Sequence, residues 1–418
     1  MLGSNIPVNY LYDNEVKSIS LPSGSKIIDP NNVKKRDAKE IIDRALKTPL
    51  KSDGLEKFLN DNKKILLIVN DGTRPTPTAQ VLEGIESLLK NNEVTIIVAT
   101  GCHRGANDVE LHSILGKTYD TFKDNVVSHD AKDQSRLQYL GTSRNGTKLE
   151  INKAAIENDG ILIIGSVEPH YFAGYTGGRK AIMPGIASYK SIEMNHHLAL
   201  SEDARALELE KNPVHQDMVD TLSLLKDSHI FSIQCVMDSD HNIYEVQCGD
   251  IIESFDSAIE AADEVFTVNV EKKYDVVISV AKHPMDIDLY QSQKAMDNSK
   301  GILKENGILI LVAACHEGKG PETFYNLIAS SSSPVNAINR INHSYKLGYH
   351  KAAKMAEMMR HFSVYAVSEL SESVLKNIFM SKFDTLEDAL SEALRIKGEN
   401  SDVAIIRDGC VTVPVVRK

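Results

Sequence analysis

Residues 64–77 read KILLIVNDGTRPTP. The apolar run Ile65 to Val69 is too short for a buried helix and suits a strand covered on both faces. It breaks into a polar turn, Asn70-Asp71-Gly72-Thr73-Arg74-Pro75, and then into Ala79 to Leu89, whose spacing predicts a helix. Strand, polar loop and helix in that order form the repeating unit of a parallel α/β sheet. The unit recurs. VTIIVA at 94–99 precedes TGCHRG at 100–105, and Ile161 to Ile164 precedes GSVEPHYFAGYTGGRK at 165–180. VVISV at 276–280 precedes AKHPMD at 281–286, and ILILV at 308–312 leads to CHEGKG at 315–320. The expected fold class is α/β, with two α/β domains of largely parallel sheets, doubly wound or close to it, and the active site in the cleft between them. The polar stretch TVNVEKKY at 267–274 marks the boundary, giving an N-terminal domain over 1–268 and a C-terminal domain over 269–418.

The whole-chain properties agree with this plan and exclude several classes. At 418 residues, 42% hydrophobic and 25% charged, the chain is long enough for two separate cores. No apolar run approaches the ~18 residues of a membrane span. The opening MLGSNIPVNYLYDNE lacks the basic and apolar segments of a secretory signal, so a cytoplasmic location and no membrane partner are expected. Five cysteines, an odd number without a CxxC pair, argue against a disulfide framework and a thiolate zinc site. A net charge of −11 without a basic block argues against a nucleic-acid partner. The run KMAEMMRHF reads as a packed helix face, and SSSSP at 330–334 as a short loop.

The loops carry the chemistry. Ligands of parallel α/β sheets bind beyond the carboxyl ends of the strands, where helix N-termini and loop amides converge. The bland alternative is that Gly, Pro and Asp merely build turns. The densest loop is Gly174-Tyr175-Thr176-Gly177-Gly178-Arg179-Lys180, whose glycines allow close approach of a ligand while Arg179 and Lys180 supply charge or an amine nucleophile. A phosphate-binding Walker A loop is excluded, because Arg179 replaces the glycine before the lysine and Ala181 the hydroxyl residue after it. Asn195-His196-His197 follows in a segment, 187–206, that reads as helical. His103 and His170 each follow a strand and fit no zinc pattern. Either can be a structural imidazole bonded to a carbonyl; converging, the two form a matched acid and base.

Taken together, Asp71-Gly72-Thr73-Arg74-Pro75, Cys102-His103-Arg104, Pro169-His170-Tyr171-Phe172-Ala173-Gly174, Gly177-Gly178-Arg179-Lys180, Asn195-His196 and Tyr290-Gln291-Ser292-Gln293-Lys294 resemble the nickel-dependent lactate racemase family, motif by motif and in order. The resemblance implies an isomerase that racemises or epimerises a small 2-hydroxy acid by reversible hydride transfer through a 2-oxo acid. It implies nickel and a pyridinium-3,5-bisthiocarboxylic acid mononucleotide, the nickel-pincer nucleotide. By the same resemblance Lys180 is the covalent attachment point, His196 the nickel ligand, and His103 and His170 the two catalytic bases. Asp71, Gly72, Thr73 and Arg74 form the loop that holds the nucleotide, and Arg74, Gln291 and Lys294 bind the substrate. Other proteins that make and load the cofactor are implied partners.

One position departs. Family members acting on lactate, as the resemblance implies, carry a histidine after the motif aspartate, where this chain has Gly72. The missing side chain leaves room for a substrate larger than lactate. His197 has no implied role and reads as a helix-surface residue. Two rival functions stand beside this one. A metal-dependent hydrolase built on His103, His170 and His196 would need a carboxylate base and no Lys180 loop. A non-catalytic binder of the nucleotide could dispense with Gln291 and Lys294.

Overall fold

The computed structural model describes residues 5–226 and 228–417. They form two compact units, one over residues 32–265 and the other over residues up to 31 together with 266 onward.

The first unit is built on a six-stranded sheet. Its strands lie in the order Ile243–Gly249, His229–Met237, Gly160–Ser166, Lys64–Asn70, Glu93–Ala99, Val126–Ser128. All neighbours are parallel except the antiparallel pair at the Ile243–Gly249 edge. From Lys64–Asn70 the chain winds outward through Glu93–Ala99 in one direction and later through Gly160–Ser166 and His229–Met237 in the other. The topological switch point therefore falls between Lys64–Asn70 and Gly160–Ser166. Ile65 to Val69 and Ile161 to Ile164 have no exposed surface, as expected for central strands sheltered on both faces. Helix Thr78–Leu89 buries Val81, Leu82, Ile85 and Leu89, the i, i+4, i+8 stripe of a helix lying on a sheet.

The second unit holds a six-stranded, all-parallel sheet in the order Ser381–Phe383, Ser363–Val367, Leu303–Val312, Tyr274–Val280, Val403–Ile406, Lys26–Ile28. Its switch point lies between Tyr274–Val280 and Val403–Ile406. Both sheets thus have the predicted parallel α/β character.

Three expectations need correction. Residues 5–31 belong to the second unit, not to the N-terminal stretch, because Lys26–Ile28 extends its sheet. The hairpin Ile6–Tyr12 and Glu15–Leu21 also packs Val8, Tyr10, Ile19 and Leu21 into that unit's core. The polar stretch at 267–274 contains a strand, Thr267–Val270, paired with Val413–Val416. The helix read over 187–206 is shorter. Ser188 caps it, and it runs from Tyr189 to His197 before a short turn at Leu198–Leu200. The Met-rich run lies on helix Tyr349–His361, with Met355 and Met358 buried. All five cysteines are free thiols, and no helix among the described residues is long and apolar enough to cross a membrane.

Candidate active site

The loops at the first unit's switch point bring together residues far apart in the chain. After Lys64–Asn70, Asp71 folds the turn on itself: its Oδ1 accepts from the Thr73 amide (3.2 Å) and hydroxyl (2.6 Å). The Thr76 hydroxyl joins the two switch-point strands, accepting from Asn70 Nδ2 at 2.6 Å and lying 2.8 Å from Ser166 Oγ. The other carboxylate oxygen of Asp71 lies 2.6 Å from His103 Nδ1, in the loop after Glu93–Ala99. Burial works to raise the Asp71 pKa, but the hydrogen bonds from His103 and Thr73 outweigh it, and the carboxyl is held below its ordinary value. Asp71 is therefore an ionised partner for a ring that is 60% exposed.

The loop after Gly160–Ser166 supplies the next group. Glu168 is pinned by its backbone, accepting from the Thr176 amide (2.8 Å) and donating to the Thr176 hydroxyl (2.9 Å). Its carboxylate lies 3.7 Å from the Arg74 guanidinium. Pro169–His170 then pairs antiparallel with Gly174–Tyr175, which throws Tyr171 and Phe172 into a tight bend. His170 is buried, and its Nδ1 accepts the Ala173 amide at 3.3 Å.

Phe172 is the hub of the remaining groups. Its ring meets His170 edge-on at 4.6 Å and His196 at 5.0 Å, and Lys180 Nζ stands 5.5 Å from its centre. The chain enters the Lys180 turn through glycines that no other residue can replace without displacing its neighbours. Gly174 has φ +78°, and an added Cβ would lie 2.4 Å from the Glu208 carbonyl oxygen. Gly177 has φ +81°, with Val167 only 2.5 Å from the same position. His196 projects from helix Tyr189–His197 beside the fully buried Asn195, whose Oδ1 lies 3.3 Å from His196 Nδ1 and whose amide donates to the Val214 carbonyl at 3.1 Å. Burial first, then the Lys180 charge, pushes the His196 pKa down to about 3, so the ring is neutral. His197 is exposed, as read from the sequence.

The first unit therefore assembles Asp71, Thr73, Arg74, His103, His170, Lys180 and His196. Gln291 and Lys294 belong to the second unit, one helical turn apart on Leu289–Ser299. Asp288 caps that helix by accepting the Gln291 amide at 2.6 Å, and Lys294 Nζ lies 3.6 Å from Met285 Sδ. Glu168, Phe172 and Asn195 were given no role in the sequence reading. The position of Glu168 directly after a strand and before the His170 motif was the available signal for one of them.

Fold and site together define an α/β protein of two units whose polar and ionisable groups gather at the switch point of a parallel sheet, the pattern of an enzyme. Residues 12–208 match the lactate racemase N-terminal domain, and residues 268–415 the lactate racemase C-terminal domain. The lactate racemase of Thermoanaerobacterium thermosaccharolyticum is 32% identical over 381 residues, covering 88% of this chain and 89% of that protein. That of Lactiplantibacillus plantarum is 31% identical over 387 residues, covering 90% of each. The solved lactate racemase apoprotein from T. thermosaccharolyticum superposes with a TM-score of 0.91 over 99% of this chain and all of that one, at 30% identity. A Thermotoga maritima protein at 15% identity, with a TM-score of 0.65 over 87% of this chain and 96% of its own, shares the fold alone. The chain belongs to the lactate racemase family and is an isomerase, a racemase.

Proposed function

We propose that this racemase inverts the α-carbon of a 2-hydroxy acid larger than lactate, through a 2-oxo acid, with a nickel-pincer nucleotide attached at Lys180. The observation that carries the reading is the cluster around Phe172, which sets an amine and a neutral imidazole beside the buried His170. These residues fit the group. A metal takes the neutral form of histidine, and nickel favours nitrogen and sulfur donors. Asn195 Oδ1 can accept from His196 Nδ1, which leaves the Nε2 lone pair for a metal. Lys180 in its glycine-bounded turn would form the covalent link, and Asp71 to Arg74 would hold the nucleotide. When bound, the group supplies a hydride acceptor, so that the α-hydrogen, a poor acid beside a carboxylate, need not leave as a proton.

The histidines divide the proton work. A proton on His103 Nδ1 donated to ionised Asp71 leaves Nε2 to accept the substrate hydroxyl proton, and Asp71 then stabilises the imidazolium. His170 Nδ1 accepts from Ala173, so its resting ring is neutral with hydrogen on Nε2, and it returns a proton only as the imidazolium, with the Ala173 contact released. In each direction one histidine, neutral, takes the hydroxyl proton and the other, as imidazolium, returns one, and reversing the reaction exchanges the roles. Arg74 in the first unit, and Gln291 and Lys294 in the second, are the groups suited to a substrate carboxylate.

The size of the substrate rests on Gly72. A Cβ built there meets nothing within 4 Å, so the space is open. Hydroxy diacids, branched or aromatic hydroxy acids and sugar acids are the candidates, with lactate, on which the named relatives act, a poor substrate. The test is to incubate nickel-loaded protein with single stereoisomers of each class and follow scrambling by chiral chromatography. Faster turnover of lactate than of every larger acid would remove the Gly72 argument. No turnover of any 2-hydroxy acid by protein carrying nickel and nucleotide would remove the substrate class.

A further inference from the structure

Arg179 is the largest fully buried side chain of the described residues, at 2% exposure. Its guanidinium lies 4.2 Å from the centre of the Phe255 ring. Nη2 donates to the Ala173 carbonyl at 2.8 Å, Nη1 to the Thr176 and Gly177 carbonyls at 3.4 and 3.3 Å, and Nε to His215 Nδ1 at 3.0 Å. None of these hydrogen-bond partners is a carboxylate, unusual for a buried charge, and Asp256 acts on it only at longer range. Burial lowers its pKa to about 9, which still leaves it charged at neutral pH. His215, pushed down to about 3 by burial and then by the Arg179 and Arg144 charges, is the neutral acceptor this arrangement needs.

The partners explain the burial. In the bend at 173–177 the Ala173 and Gly177 carbonyls each take one backbone donor, Tyr175 and Lys180 at 3.0 Å, and Arg179 supplies a second donor to both while reaching the Thr176 carbonyl as well. Ala173 is shared: its amide donates to His170 Nδ1, while its carbonyl accepts from Arg179. Arg179 is also the residue before Lys180, within the same turn. One side chain thus connects the peptide that orients His170 to the turn that carries Lys180.

We propose that Arg179 is a positioning residue that fixes His170 and Lys180 relative to one another through Ala173, without touching substrate. The inference rests on the roles proposed above for those two residues, but its geometry exists without cofactor and can be tested without it. Apo protein is treated with an amine-reactive acylating reagent and, separately, with diethyl pyrocarbonate, and site-resolved rates are read by peptide mass spectrometry. In Arg179→Gln, modification of Lys180 and His170 should change together by about 5-fold to 30-fold, the effect of losing one or two strong hydrogen bonds. His129, also buried and bonded to the Ala187 carbonyl at 2.9 Å, should keep its rate. Arg179→Lys retains the charge but not the fork of donors, and serves where the Gln variant does not fold; it should shift both rates in the same direction. Lys180 and His170 rates equal to wild type in the folded variants would overturn the proposal, as would a parallel rise at His129, which marks general loosening. Changed rates at Lys180 and His170, in a protein that never acquires covalent nucleotide, would sustain Arg179 as the positioning residue and reject the cofactor assignment instead.

Discussion

The two units share a plan and spend it differently. Each is a parallel sheet with one switch point, yet the loops at those two points have opposite characters. In the second unit the loops after Tyr274–Val280 and Val403–Ile406 are short and closed by ion pairing: Lys282 lies 3.2 Å from Asp408, and Gly409 donates to the Val280 carbonyl at 2.8 Å. Gln291 and Lys294 stand on a capped helix. In the first unit the segment after Gly160–Ser166 runs through strap, bend and turn before helix Tyr189–His197 begins, and it holds His170 on a two-residue strand, Phe172 in the bend and Lys180 on a short 3-10 turn. Regular elements present binding groups at low cost. Groups that must meet at set angles around one ring need a path that only glycines and a buried arginine can hold. On the proposed roles, the chemistry falls to the first unit, and the second contributes Gln291 and Lys294 to substrate binding.

That assignment is broken most readily at the histidines. His103→Ala and His170→Ala should each lower turnover in both directions by about 100-fold to 10,000-fold, the worth of a general acid or base, measured as kcat from each enantiomer. A change confined to KM would place them outside the proton transfers.

The complementary prediction is smaller and of another kind. Lys294→Met should raise KM about 10-fold to 100-fold, as expected for losing a charged hydrogen bond, with kcat little changed. If instead kcat fell and KM held, the second unit would be contributing to the chemistry, and the contrast would fail.

What the sequence allowed and what it did not follow the same division. The central strands were legible because five buried apolar residues in a row have few other uses. Lys26–Ile28 was not, because three residues carry no period and gain strand character only from pairing with Val403–Ile406. The helix expected to run on to 206 stops at His197, and Ser201-Glu202-Asp203 beyond it turns, with Asp203 donating to Ser201 Oγ. The candidate site residues could be named from the sequence by type and by resemblance. Their pairings were not, since Asp71 with His103 and Arg74 with Glu168 meet only through the order of strands in the sheet. Asn195 is held by the Val214 carbonyl from another helix, a pairing that no local spacing reveals.

The smallest expected effect concerns stability in the second unit. His316 lies between two carboxylates, with Nε2 2.6 Å from Asp13 and Nδ1 2.8 Å from Glu369, so the hairpin turn is tied to the loops after two strands. The hydrogen bonds to Asp13 and then to Glu369 raise its pKa above 6.5. A raised folded-state pKa stabilises the fold below the unfolded value and ceases to do so as pH rises through the folded one. The melting temperature of His316→Gln should therefore fall below wild type near pH 6 and converge with it at alkaline pH. A gap that widened with pH would contradict the imidazolium bridge.

The central claim is that the Phe172 cluster is a cofactor cradle with Lys180 as its covalent anchor. Intact-mass and metal analysis of the chain co-expressed with the cofactor-synthesis proteins tests it most directly. The account predicts an added mass equal to the nucleotide and about one nickel per chain, as a lysine link and a histidine ligand require, with the covalent mass absent from Lys180→Ala. A co-expressed wild-type chain with neither added mass nor nickel, or a Lys180→Ala chain that still gained the covalent mass, would contradict it.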